Sequence, residues 1–248
     1  MINLDNRVAL VSAGSRGLGA EIVRQLARQG ADLAFTYASN TKAAQDLAVE
    51  IRKMGRRCLA IKADARLFAK SHQVVKKVKE TFGAVHILVC NAGAARGRAM
   101  WKMKESEWDD VIRISLKSAF NYLHAVCPLF MKQGYGKVVC IGSINGLRGR
   151  MGTISYNVAK AGLVGLVKTA ASELGRFNVN VNLVAPGYLE TSSQTNTPEL
   201  IRDLVLKECA IKRLGAPEDI APVVAFLCSD AAWHVTGQVI KVDAGQYL

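Results

Sequence analysis

The feature that most constrains this chain is an alternation. Short β-branched or apolar runs recur along it, each followed by a stretch whose apolar residues repeat at helical spacing. The runs are Val8–Val11, Asp32–Tyr37, Cys58–Ile61, His86–Cys90, Lys137–Ile141, Val179–Val184 and Gln238–Val242. Several are continuously apolar, as strands covered on both faces are. Between them lie amphipathic stretches at Leu18–Gln29, Thr41–Met54, Lys70–Phe82, Ser106–Phe130, Thr153–Gly175, Pro198–Glu208 and Pro217–Leu227. Gly30, Gly55 and Gly83 close the first three, as helix C-terminal glycines do. Repeated strand–helix units predict an α/β fold: a doubly wound, parallel seven-stranded sheet of Rossmann type with right-handed crossovers. Composition is even throughout, with no repeat and no low-complexity segment, so residues 1–248 are read as a single domain.

Half of the residues are apolar, enough for one sizeable core. No apolar run approaches the ~18–20 residues that cross a bilayer. The opening Met1–Arg7 lacks the basic and apolar regions of a signal peptide, so a cytoplasmic chain with no membrane partner is expected. Six cysteines are scattered without a CxxC pair, which reads as buried, reduced thiols rather than a metal site.

The first strand runs into Ser12-Ala13-Gly14-Ser15-Arg16-Gly17-Leu18-Gly19, and a helix follows. This is the context a phosphate-binding turn needs: glycines admit a pyrophosphate to the backbone, and the helix N-terminus offers free N–H groups. An acid that would hold a ribose 2′-hydroxyl is expected at the end of the second strand. That strand ends Thr36-Tyr37-Ala38-Ser39-Asn40 with no acid, and Arg16 sits in the turn instead. A missing acid beside a guanidinium suits a 2′-phosphate, so NADP(H) is favoured and NAD(H) remains possible.

The fourth strand ends in Asn91-Ala92-Gly93, small residues that leave room for a ligand. The fifth ends at Ser143, and Tyr156 and Lys160 follow at i, i+4 on one helical face. An ammonium close to a phenol favours the phenolate and brings it toward a useful range, and a serine nearby can hydrogen-bond a carbonyl.

On these residues the chain resembles the short-chain dehydrogenase/reductase family along nearly its whole length. The glycine turn, Asp64, Asn91-Ala92-Gly93, Ser143, Tyr156, Lys160 and Pro186-Gly187 fall in the family's order. Trp108–Ile112, Tyr156–Gly162, Val184–Thr191 and Arg213–Ala221 look most like its 3-oxoacyl-[acyl-carrier-protein] reductases. The resemblance implies Tyr156 as proton donor, Lys160 as its pKa partner and a holder of the nicotinamide ribose, and Ser143 as the carbonyl's partner. It implies cofactor contacts from Ala13 to Gly19, from Tyr37, Ser39, Asp64, Ala65, Asn91, Ala92 and Gly93, and from Pro186, Gly187, Leu189 and Thr191. It further implies a substrate lid at about 188–212 and a homotetramer formed through the two long helices.

The chain departs from the family at Ala13 for the first turn glycine, Cys90 before Asn91, Ala244 for a glycine, and Ser115 for the asparagine that orders a water by the lysine. A hydroxyl holds water with a different geometry, so an altered proton relay through Ser115 is expected.

Lys and Arg exceed Asp and Glu by 13. Arg96, Arg98, Lys102, Lys104, Arg148 and Arg150 cluster at the expected mouth of the site, where an acidic acyl carrier protein or the phosphates of coenzyme A would be steered. Basic residues are otherwise spread over many elements, and no helix-turn-helix, zinc-finger or RNA-binding signature accompanies them, which argues against nucleic acid. The expected activity is NADPH-dependent reduction of a 3-oxoacyl thioester. The alternative is an NAD-dependent dehydrogenase of a secondary alcohol or a hydroxyacyl-CoA. A dinucleotide-binding protein without catalysis is disfavoured by Ser143, Tyr156 and Lys160 occurring together.

Overall fold

A computed structural model describes residues 2–190 and 198–248. The strands are β1 (Val8–Val11), β2 (Asp32–Tyr37), β3 (Cys58–Lys62), β4 (Ile87–Cys90), β5 (Gly136–Ile141), β6 (Val179–Pro186) and β7 (Val239–Val242). They form one parallel sheet in the order β3-β2-β1-β4-β5-β6-β7. The chain winds outward from β1 to β3, then returns to β4 on the other side of β1. The strand order therefore reverses between β1 and β4, and a ligand crevice is expected beyond their C-terminal ends.

Burial on both faces explains the continuous apolar strands. Val8 and Leu10 face one core layer, whereas Ala9 and Val11 face the other. Leu88 and Cys90 divide from Ile87 and Val89 in the same way, as the period of two requires. The first layer is covered by α3 (Phe68–Phe82), α5 (Ser118–Gln133) and α7 (Ile154–Leu174). The second is covered by α1 (Gly17–Arg28), α2 (Thr41–Lys53) and α9 (Pro217–Cys228). Gly83 ends α3 in the left-handed region at φ 87°, its N–H donating to the Lys79 carbonyl. Cys90 and Cys140 are register partners on β4 and β5, and all six cysteines are free.

One helix departs from expectation. The stretch read as a single helix over Ser106–Phe130 is α4 (Glu105–Ile112), a π turn (Arg113–Lys117) and α5. A π turn carries no Gly or Pro signal here, and such turns concentrate at functional sites. This one carries Ser115. The remaining short helices are α6 (Asn145–Arg148) and α8 (Glu199–Glu208). Among the described residues no helix is long and apolar enough to cross a membrane, and no group of three or more ligating side chains could hold a metal.

Candidate active site

The glycine turn joins β1 to α1 and is pinned from two sides. From β2, Thr36 accepts the Ala13 N–H on its hydroxyl at 3.0 Å and the Gly14 N–H on its carbonyl at 2.9 Å. From β4, the Asn91 carboxamide donates to the Ser12 and Ala13 carbonyls at 3.2 and 3.0 Å. In return the Ser12 hydroxyl accepts the Asn91 and Ala92 N–H groups at 2.9 and 3.1 Å. Ser12 and Thr36 are thus part of the cradle, although nothing in their immediate sequence distinguishes them from ordinary strand-end residues.

Close packing fixes two glycines of the turn. A Cβ on Gly14 would stand 2.7 Å from the Phe35 Cβ, and the space beside Gly19 is already filled by the Ala13 carbonyl and the Asn91 amide. Ala13 itself sits at φ 53° and Gly17 at φ 52°. Ala13 therefore occupies a left-handed conformation that costs a residue with a Cβ about 1–2 kcal/mol. The turn delivers the free N–H groups of α1, with Arg16 extended just before its first residue and exposed.

Where the adenosine side of a dinucleotide is expected there is a cleft of about 520 Å³, lined by Ala38, Ser39, Lys62, Asp64, Arg66, Lys70 and Arg96 among others. Asp64 is there as expected, but its carboxylate is taken by Arg66, whose Nε and Nη2 donate to its two oxygens at 3.0 and 2.8 Å. That guanidinium holds the Asp64 carboxyl below the usual range. Ala65 is buried, and its carbonyl accepts from Asn121 at 3.1 Å. Tyr37 ends β2, half-buried and packed against the second core layer.

A second cleft of about 540 Å³ collects the expected chemical groups: Ser143, Tyr156 and Lys160, with Leu18, Asn91, Gly93, Pro186, Gly187 and Leu189. β5 delivers Ser143, whose Oγ accepts the Asn145 N–H at 3.2 Å. α7 delivers Tyr156 and Lys160 one turn apart. The Lys160 Nζ is buried, lies 5.6 Å from the Tyr156 ring centre and donates to the Ile141 carbonyl at 2.6 Å. Burial lowers its pKa to about 8, partly opposed by the nearby Cys140 and Cys90. Burial also raises the Tyr156 phenol, and the Ser143 hydroxyl pulls it back down. The expected depression of Tyr156 by Lys160 is therefore not what governs the phenol in the protein alone.

Gly93 separates Lys160 from Ser115. A methyl at Gly93 would lie 3.3 Å from the Lys160 Nζ and 3.6 Å from the Ser115 Oγ. The Ser115 hydroxyl accepts the Ala94 N–H at 3.1 Å and donates to the Ala94 carbonyl at 3.2 Å. It ties down the loop after β4 and stands beside the lysine without touching it. Thr191, expected at the nicotinamide end, and the lid positions 192–197 lie outside the described residues.

Of the six basic residues expected at the mouth, Arg150 lines the cleft of Ser143 and Tyr156 and Arg96 lines the neighbouring one, and several of the six are paired. Arg98 pairs with Glu107 at 2.8 Å, Arg96 with Asp110 at 3.9 Å and Arg148 with Glu208 at 2.8 Å. Arg148, only 17 % exposed in its side chain, is corrected from a free rim charge to a member of an ion pair. Lys102, Lys104 and Arg150 have no ion pair among the described residues.

Comparison with known proteins shows the family of the chain. A family profile described as enoyl-(acyl carrier protein) reductase matches residues 12–246. The chain belongs to the short-chain dehydrogenase/reductase family. It is 39% identical to the 3-oxoacyl-[acyl-carrier-protein] reductase FabG of Staphylococcus epidermidis, covering 98% of this chain and 100% of that one. It is 36% identical to the FabG of Escherichia coli over the full length of both. A solved short-chain dehydrogenase/reductase mutant of Serratia marcescens superposes with a TM-score of 0.93 at 36% identity, covering 98% of each chain. As a member of this family the chain is an NAD(P)-dependent oxidoreductase acting on a C=O or CH–OH group. The residues fit a dinucleotide: internal packing that requires Gly14 and Gly19 shapes the turn that presents the free N–H groups of α1, and Gly93 leaves the space beside the Lys160 Nζ without a side chain.

Proposed function

We propose that this protein reduces a 3-oxoacyl thioester, carried on an acyl carrier protein or coenzyme A, to the 3-hydroxyacyl product with NADPH. The observation that carries the reading is the convergence of Ser143, Tyr156 and Lys160 in one cleft next to the glycine-turn cradle. The bound nicotinamide supplies the hydride. Ser143 hydrogen-bonds the substrate carbonyl, and Tyr156 gives its phenolic proton to the oxygen as negative charge develops there. Burial keeps the phenol protonated and ready to donate. Lys160, charged below about pH 8, stabilises the phenolate that forms. Ser115 supplies a hydroxyl near Lys160 for an altered route by which the site regains its proton.

NADPH over NADH is supported by Arg16, by the absence of an acid at the end of β2, and by Ser39, Lys62, Arg66 and Lys70 around the adenosine cleft. An acidic carrier would meet Lys102, Lys104 and Arg150 at the rim. Assembly as a homotetramer through α5 and α7 goes with this reading, and sedimentation measures it. The functional test is turnover of acetoacetyl-CoA with NADPH and with NADH. NADPH-dependent turnover supports the proposal, and a preference for NADH moves the protein toward oxidation of an alcohol.

A further inference from the structure

Four segments distant in sequence meet on one side of the catalytic cleft: α6, the last turn of α8, the exit from β6 and the turn after β7. Their meeting point is one carboxylate. The Glu208 Oε2, at the end of α8, accepts from the Arg148 Nη2 at 2.8 Å and from the Gln246 Nε2 at 2.8 Å. Gln246 is 5% exposed and its side chain is used at both ends, since its Oε1 accepts the Tyr188 N–H at 2.9 Å. The Arg148 Nη1 closes the ring by donating to the Gln246 main-chain carbonyl at 3.2 Å. Burial alone would raise the Glu208 carboxyl, but Gln246 and Arg148 outweigh it and hold the group low, so it is ionised at neutral pH.

The cluster is one of three polar anchors of α8 among the described residues, beside the Arg202–Glu190 ion pair and the Lys212 ammonium on the Leu206, Lys207 and Cys209 carbonyls, and it alone reaches the wall of the cleft. Val205 is its one buried residue, while Leu200 and Leu204 are 70% and 46% exposed. Two charge-assisted hydrogen bonds are anchors on a scale comparable with one buried aliphatic side chain. What they anchor borders the substrate space: Tyr188, Leu189 and Gln246 line the same cleft as Ser143, Tyr156 and Lys160.

We propose that Glu208 is a positioning residue: through Arg148 and Gln246 it fixes α8 and the Tyr188–Leu189 wall, and so sets how tightly the acyl substrate is held. This rests on the reading of the cleft as a 3-oxoacyl site. Glu208 touches no reacting group, so its removal should weaken substrate binding and leave the proton chemistry intact.

The test uses the full chain and the variants Glu208→Ala and Glu208→Gln. Steady-state kinetics with NADPH and acetoacetyl-CoA are read beside amide hydrogen exchange of α8 and Tyr188. Glu208→Ala is expected to raise KM about tenfold, the size of one lost charge-assisted hydrogen bond. The pH profile of kcat should stay unchanged, and exchange at Tyr188 and α8 should accelerate. Glu208→Gln keeps an acceptor without the charge and should fall between. Unchanged exchange overturns the proposal, and so does faster exchange with unchanged KM, because the cluster would then anchor α8 without positioning substrate. If the wild type turns over no 3-oxoacyl thioester, the functional reading fails, and the exchange result still decides whether Glu208 fixes Tyr188.

Discussion

The Lys160 ammonium donates to the Ile141 carbonyl at 2.6 Å while lying 5.6 Å from the Tyr156 ring centre. The strand that leads into Ser143 thereby holds the lysine one helical turn from Tyr156. Because burial brings Lys160 to about pKa 8, its charge is lost as pH rises through that value. Reductase kcat/KM should accordingly fall on the alkaline side with an apparent pKa near 8. A profile flat to pH 10 would separate Lys160 from the proton step.

The same burial has a stability consequence with a definite sign. The folded pKa lies below the unfolded value of 10.5, so between about 8 and 10.5 the unfolded chain binds more protons and stability rises with pH. Below pH 8 the full cost of the buried charge is present, on the order of 3 kcal/mol. Lys160→Met should abolish turnover and raise the Tm of the cofactor-free protein at pH 7, with the gain shrinking toward pH 10. Thermal unfolding at the two pH values checks this.

Ala13 stands at φ 53° where only glycine is unstrained. Ala13→Gly should stabilise the protein by about 1 kcal/mol, the strain relieved less the glycine's extra chain entropy. Denaturant unfolding measures it, and a loss of stability would mean that the Ala13 methyl contributes packing exceeding its strain.

Ser115 uses its hydroxyl on both main-chain groups of Ala94. Ser115→Ala should cost about 1–2 kcal/mol by freeing that loop. Ser115→Asn should change both kcat and its pH profile. If Ser115→Asn left both unaltered, the relay reading would be wrong and the hydroxyl would serve only the loop.

At the rim, Arg148 belongs to the Glu208 pair, so the carrier test falls on residues outside ion pairs. Arg150→Ala with Lys102→Ala should raise KM for a carrier-linked substrate several-fold more than for a small ketone, and salt should erase the difference. Equal effects on the two substrates would remove the docking role.

Much of this was legible in the sequence because it is local. Val8–Val11 and Ile87–Val89 read as strands since both of their faces are buried, and the glycine turn announces itself by position. Ser143, Tyr156 and Lys160 were found by spacing, and the fold brings them into one cleft. The rest depends on partners remote in the chain. The break at Arg113–Lys117 has no local breaker residue, so helical periodicity runs straight through it. Arg66 taking the Asp64 carboxylate, Asn91 clamping Ser12, and Glu208 joining Arg148 to Gln246 are choices among many possible pairings, which only tertiary packing makes.

Proton donation by Tyr156 in an NADPH-dependent reduction is the step on which the proposed function turns. It is tested most directly by NADPH oxidation with acetoacetyl-CoA in the wild type and in Tyr156→Phe, with binding of NADPH measured on both. The wild type should turn over, and Tyr156→Phe should lose about 10²–10⁴-fold with NADPH affinity retained. Turnover in Tyr156→Phe within a few-fold of wild type, or a wild type that binds and uses NADH in preference, would contradict it.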